Sequence, residues 1–218
     1  MQLHFLRNLE KAMDLRALTK TDLLRARIPE KFREASFSNT PAGEDRDMLI
    51  KYLRTLGEMK KIGYGIALSG QSGIGKTTVM CAMLKALMQM GQSVLFISAY
   101  ELRGIVLGDD PPSDGDPWPT FDEVLNCGFL LIDDFGAEYS SVRQFTEFLF
   151  AEVFTHRFQK HKPVLLTTNI SLTDVDKRYG HAVSSRFSES MCYKRVSDWP
   201  VYRQGESLRR RKLLLGGD

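Results

Sequence analysis

The residues Gly70-Gln71-Ser72-Gly73-Ile74-Gly75-Lys76-Thr77 fit the pattern G-x-x-x-x-G-K-S/T, directly after a short apolar run and at the start of a helical pattern. Glycines at these positions let successive backbone N–H groups curl around phosphate oxygens. The start of a helix adds the positive end of its dipole, and Lys76 neutralises charge on the outer phosphates. Thr77 is expected to hold magnesium, and the nucleotide-binding set extends to Thr78. A second apolar run, Phe129-Leu130-Leu131-Ile132, ends in Asp133-Asp134. Asp133 is placed to bind hydrated magnesium, and Asp134 to orient or deprotonate an attacking water, because phosphoryl transfer is catalysed mainly by positioning and electrostatics. A third run, Pro163-Val164-Leu165-Leu166-Thr167-Thr168, ends in Asn169. Its neutral amide can hold that water or the γ phosphate from the opposite side; taken alone, it is as readily a helix cap or a turn residue.

Such residues act together only if the fold brings the ends of these runs to one place. From Tyr64 onward, short apolar runs at 65–69, 94–98, 129–133 and 163–169 alternate with helical patterns from about Lys76, near Glu101 and from Val142 to Phe158. A further short strand is expected near Met191 to Val196. This alternation implies βαβ crossovers and a mostly parallel sheet covered on both faces. Upstream, Met48, Leu49, Tyr52, Leu53, Leu56 and Met59 mark one face of a helix that ends before Gly63. In residues 1–26, Leu6, Leu9, Met13 and Ala17 recur at spacings of three and four, as in an amphipathic helix. Pro29 interrupts that segment, and the turn formers of Ser36 to Gly43 suit a linker or a collar around a nucleotide site. Between Gly108 and Pro119, prolines and aspartates stop both helix and strand, so an exposed loop is expected.

A chain of 218 residues with 43% hydrophobic and 26% charged residues can bury one ordinary core, and no apolar run approaches the ~18 residues of a membrane span. A charged start with an apolar stretch and a small-residue cleavage site is not seen at the beginning, so a cytoplasmic location is the expectation. Cys81, Cys127 and Cys192 are widely spaced without a C-x-x-C pair, and read as reduced, buried thiols. No histidine stands at ligand spacing from a cysteine, which speaks against structural zinc. The net charge is only +3, yet ten Lys/Arg against three Asp/Glu fall between Lys177 and Lys212. That excess points to a polyanionic partner.

In this ordered set the chain resembles the AAA+ ATPases of the DnaC/IstB-like branch, bacterial or phage replicative helicase loaders and their transposition relatives. The likeness runs from about Ala26 to Gln204 and rests on several segments. These are residues 28–37 (IPEKFREASF), the phosphate loop, residues 131–138 (LIDDFGAE), Leu166-Thr167-Thr168-Asn169, Ser185-Arg186-Phe187 and Tyr202-Arg203. The resemblance implies an α/β P-loop NTPase of AAA+ type, with a parallel five-stranded sheet between two helical layers and a short helical N-terminal appendage. It implies residues 1–43 as appendage and linker, 44–204 as the ATPase domain and 205–218 as a basic tail. By position, Asn169 resembles the family's sensor-one residue, Arg186 its arginine finger for a neighbouring subunit, and Arg203 its sensor-two arginine. A delocalised guanidinium suits charge on a transferring phosphoryl group. Two features depart from the family: many members carry Glu where Asp134 stands, which implies slow hydrolysis, and the appendage is short and lacks a cysteine-bearing zinc module.

The implied activity is ATP hydrolysis with Mg2+, in a homo-oligomer that assembles on single-stranded DNA and a replicative DNA helicase. The residues themselves suggest Tyr100 and Arg103, together with Lys194, Arg195 and Arg209 to Lys212, as nucleic-acid contacts. The segment Leu3 to Leu24 either docks a partner or packs on its own core. A transposition helper ATPase shares every motif. From another class, a nucleotide kinase needs an arginine-rich acceptor lid that residues 108–119 do not supply, and a non-hydrolysing ATP-binding adaptor follows if Asp134 is inactive.

Overall fold

The computed structural model describes residues 17–39, 43–111, 117–137 and 143–196. Its five strands are β1 (Gly65–Ser69), β2 (Val94–Ser98), β3 (Phe129–Phe135), β4 (Val164–Thr168) and β5 (Met191–Arg195). They form one sheet in the order β2-β3-β4-β1-β5, with every pairing parallel. The helices are α1 (Lys20–Arg25), α2 (Glu44–Arg54), α3 (Leu56–Lys61), α4 (Lys76–Gln89), α5 (Ala99–Leu107), α6 (Phe121–Asn126), α7 (Arg143–Gln159) and α8 (Leu172–Ser190). The α/β architecture with an all-parallel five-stranded sheet is the one the sequence implied. No helix among the described residues is long and apolar enough to cross a membrane.

Continuous apolar strands arise because both faces of the sheet are covered. Phe96, Phe129, Leu131, Leu165, Ile66 and Leu68 point into one core with α4, α2 and the entry segment. Their neighbours Leu95, Ile97, Leu130, Ile132, Leu166 and Ala67 point into the other, against α5, α7 and α8. The second core is knitted by aromatic rings. Phe135 stacks on Tyr179 at 4.5 Å and meets Phe150 edge-on at 4.9 Å, and so ties β3 to α7 and α8.

Several local expectations change. The helix anticipated over residues 48–59 divides at Thr55, whose hydroxyl donates to the Lys51 carbonyl at 3.1 Å; a β-branched residue followed by Gly57 makes a weak point there. The short α6 begins at a capping box of Thr120 and Glu123, a signal too local for a periodicity reading. In α8, Gly180 sits at φ 77° and breaks the apolar stripe into two pieces. The expected exposed loop at 108–119 is in part packed: Pro119 is buried, Trp118 lies over Gly104, and Arg27 donates to the Pro117 carbonyl. Of the three free cysteines only Cys81 is buried, while Cys127 and Cys192 are half-buried.

The entry segment is tied to the sheet. The Phe96 amide of edge strand β2 donates to the Ala26 carbonyl at 2.9 Å, and Ala26, Ile28, Ala35 and Phe37 are buried in the first core. Covering an edge strand in this way blunts edge-to-edge pairing. Of the anticipated amphipathic segment, residues 3–16 lie outside the described residues. In its described end, Leu23 packs on the first core and Leu24 is 41% exposed.

Candidate functional site

Parallel strands put their carboxyl ends at one edge of the sheet, and the three motifs follow or end adjacent strands β3, β4 and β1. The phosphate loop leaves β1 and enters α4 at Lys76. Gly73 and Gly75 hold φ 85° and 99°, left-handed values that side chains other than glycine disfavour. At Gly70 a Cβ would lie 2.6 Å from the Val196 carbonyl, so glycine is required where the loop passes the end of β5. The Gly70 amide donates to the Thr168 carbonyl at 3.2 Å, which joins the loop to the end of β4.

Lys76 is 6% exposed, and its ammonium donates to the Gly70 and Gln71 carbonyls, each at 2.9 Å. Gln71 and Ser72 are exposed, Ile74 is buried as an anchor, and Thr78 is half-buried in the first turn of α4. Thr77 donates to Asp133 Oδ1 at 2.8 Å, and Thr167 donates to the same oxygen at 2.6 Å. Burial raises the Asp133 carboxyl above its ordinary value, while the Thr167 and Thr77 hydroxyls act against that rise and the Asp134 charge adds to it. A hydroxyl and a partly desolvated carboxylate side by side are hard oxygen donors, the ligand chemistry Mg2+ prefers. Together with the glycine loop and buried ammonium, these residues fit a magnesium–triphosphate group.

Asp134 is exposed and has φ 53°, in the left-handed region. The cause is a β-bulge. Ile132 pairs with Leu166 and Phe135 with Thr168, so Asp133 and Asp134 together oppose Thr167 alone. The Asp134 amide donates to Thr167 Oγ1 at 3.0 Å, and Thr167 thereby links both aspartates. The extra residue also resets the alternation and returns Phe135 to the aromatic core with Ile132. Asn169 lies exposed in the turn after Thr168. That turn is held by Ser69 and Tyr193, whose hydroxyls donate to the Ile170 carbonyl at 3.0 and 2.7 Å.

The remaining candidates are not drawn into this cluster. Arg186 on α8 pairs with Glu189 at 2.7 Å and lies over the Phe158 ring at 5.0 Å. Lys194 is engaged with Asp45 at 3.2 Å, Arg195 is exposed, and Tyr100 is 57% exposed with Arg103 5.9 Å from its ring. Arg203 and Arg209 to Lys212 lie outside the described residues. Two structurally central residues escaped the sequence reading. Thr167 was legible only as part of a strand end. Arg157 continues the buried face of α7 from Phe150, Val153 and Phe154, and is itself fully buried. A charge on an apolar stripe was its only signal.

A model of the family described as IstB-like ATP binding protein matches residues 3–212. Among solved structures, that of the DnaC helicase loader aligns with a TM-score of 0.62 at 24% identity, covering 77% of this chain and 99% of that one. The DnaI structure gives 0.62 at 20% identity, covering 80% and 93%. DnaA from Aquifex aeolicus bound to AMPPCP gives 0.57 at 20% identity, covering 77% and 50%. At these identities the structural likeness speaks for the fold. No curated protein matches the sequence.

Proposed function

Because this chain belongs to the IstB-like ATP-binding proteins, AAA+ ATPases of DnaC/IstB type, we propose that it hydrolyses ATP, slowly by itself, and loads a replicative DNA helicase onto single-stranded DNA. The observation that carries the nucleotide part is the hydrogen-bonded set Lys76, Thr77, Asp133 and Thr167 at the carboxyl edge of the sheet. The loader part is supported by the ordered motifs and by the likeness in fold to DnaC and DnaI.

In this reading the loop from Gly70 to Thr78, through its amides beyond Gly70, and the Lys76 ammonium would hold the phosphates, while Thr77 and Asp133 would supply oxygens to magnesium. Bound Mg2+–ATP provides the labile phosphoanhydride and the cation that offsets its charge. Asp134 accepts the proton of the attacking water, and Asn169 orients that water. Arg186 serves a neighbouring subunit, which requires it to leave Glu189. Arg203 senses the nucleotide from the C-terminal side. Residues 1–43 form the appendage and linker, whose part from Ala26 to Phe37 packs on the ATPase unit of residues 44–204, and 205–218 a basic tail, in a cytoplasmic homo-oligomer. ATP drives release or assembly only through a difference in affinity between the two states.

The test is ATP turnover and assembly, measured with and without single-stranded DNA and a cognate helicase. Stimulated release of free phosphate is expected. Asp134→Asn should keep ATP but stop turnover, and the backbone should tolerate it because Asn accepts the left-handed region. Phosphate transferred to a nucleoside acceptor, or ATP binding without turnover under all conditions, would overturn the reading. Mixing Arg186→Ala with Lys76→Ala subunits should restore activity if the site is shared. The resemblance to the transposition relatives of this branch leaves a second reading, delivery of a transposase to target DNA. Pull-down with a helicase against a transposase separates the two.

A further inference from the structure

The amino-terminal edge of the sheet, opposite the phosphate loop, carries a second concentration of charge. Four turns meet there: α3 to β1, the approach to β2, α6 to β3, and α7 to β4. They border an open cavity of about 600 Å³ lined by Lys60, Lys61, Lys160 and Lys162, with His161 and Asn126. Neither Asp nor Glu lines it. Each strand between the two edges is at least five residues long, so roughly 15 Å separates this cavity from the nucleotide site.

The rim is built by close backbone packing. Gly63, at φ 69°, sits where a Cβ would approach the His161 Cα to 2.7 Å, so the two lysine-bearing turns lock together. Gly128 is in equally close contact with Ser93, whose hydroxyl accepts its amide at 2.8 Å. Two lysines are tethered over the cavity, Lys60 to Gln92 Oε1 at 2.8 Å and Lys162 to the Asn126 carbonyl. Lys61 and Lys160 are exposed, and their ammonium groups form no hydrogen bond or ion pair among the described residues.

Cations at the ends of α3 and α7 would be favoured by the helix dipoles in any case. The dipoles do not account for what lies beneath. Arg157 is fully buried and donates to the carbonyls of Val124, Cys127, Gly128 and Pro163 at 2.9 to 3.3 Å. It thus covers the acceptors at the end of α6 and puts a fifth positive charge, with no carboxylate beside it, under the cavity floor. Burial lowers its pKa from the ordinary arginine value without a carboxylate to offset the effect.

We infer that this cavity is a second polyanion site, which holds adjacent backbone phosphates of a nucleic-acid strand. The lining includes no Phe, Tyr, Trp or aliphatic residue, and His161 is its one ring, so it offers little to stack bases or to enclose a small molecule. Lysines bind phosphates as point charges, without the bidentate geometry that an arginine fork would impose. The contact is therefore independent of sequence. The choice of nucleic acid as occupant rests on the proposed loader reading; the cavity does not.

The experiment is a titration of fluorescent oligo-dT of thirty nucleotides against full-length protein over a series of salt concentrations. Removing two phosphate contacts in Lys61→Ala/Lys160→Ala should reduce the slope of log affinity against log salt by about 1.4, from ~0.7 per contact on single strands. Melting temperature and ATP binding should be unchanged, which separates this result from misfolding and from failure of the ATPase reading. Wild-type binding with an unaltered slope in the double variant overturns the inference, as does a wild type that binds no oligonucleotide. Tripolyphosphate bound by Lys76→Ala protein but not by the triple variant Lys61→Ala/Lys76→Ala/Lys160→Ala, without any effect of the two cavity substitutions on oligonucleotide binding, would overturn the nucleic-acid assignment in favour of a small polyphosphate.

Discussion

The two edges of one sheet treat positive charge in opposite ways. At the carboxyl edge, Lys76 is buried against two carbonyls, and Asp133 is buried against two hydroxyls. At the amino edge, Lys61 and Lys160 are exposed, and the buried cation, Arg157, bonds only to carbonyls and the Cys127 sulfur. Desolvated, hydrogen-bonded groups are preorganised for one ligand geometry, and their removal costs binding or turnover. Exposed lysines act through long-range charge that salt screens. The same protein thereby pairs a specific edge with a permissive one, and Arg157 belongs to the stability of the second.

The comparison can be broken most severely at Arg157. Arg157→Met keeps much of the volume but leaves several buried carbonyls without a donor, so urea unfolding should show a loss of about 4 kcal/mol. A loss below ~1 kcal/mol would mean that water replaces the guanidinium readily. Lys76→Ala should lower ATP affinity roughly a hundredfold, ~3 kcal/mol for a desolvated charged contact, with little change in melting. Calorimetry with a non-hydrolysable analogue checks this. At Thr167, replacement by the isosteric valine removes the hydroxyl that joins both aspartates. Turnover should fall about tenfold, ~1.4 kcal/mol, with ATP binding retained.

The smallest effect belongs to the N-terminal cap of α6, the helix whose other end, Asn126, reaches the lysine cavity. Thr120 donates through its amide and hydroxyl to Glu123, which holds that carboxyl below its ordinary value. A lowered carboxylate contributes stability above the unfolded value and loses it as pH falls through the folded one. Glu123→Gln should therefore melt slightly lower than the wild type at neutral pH, with the two curves converging in acid. A constant difference across pH would assign the effect to packing instead.

How much of this was legible depends on how local each feature is. The glycine loop was readable because its anion-binding amides are contiguous in the chain, and the strands were readable because double-sided burial demands unbroken apolar runs. The short α6 escaped because its signal is one capping box, and α8 because Gly180 interrupts its stripe. Composition had also suggested three buried thiols, where the packing buries one.

From the linear order of residues alone came the α/β class, the phosphate loop, the acidic strand end at Asp133-Asp134 and the turn at Asn169. Only the tertiary structure decided that two aspartates share Thr167 across a bulge, that Arg157 is sealed beneath α6, and that Lys60, Lys61, Lys160 and Lys162 meet. The reason is physical. A motif of consecutive residues carries its own geometry in the backbone, whereas register, burial and the convergence of distant turns exist only after parallel strands have paired.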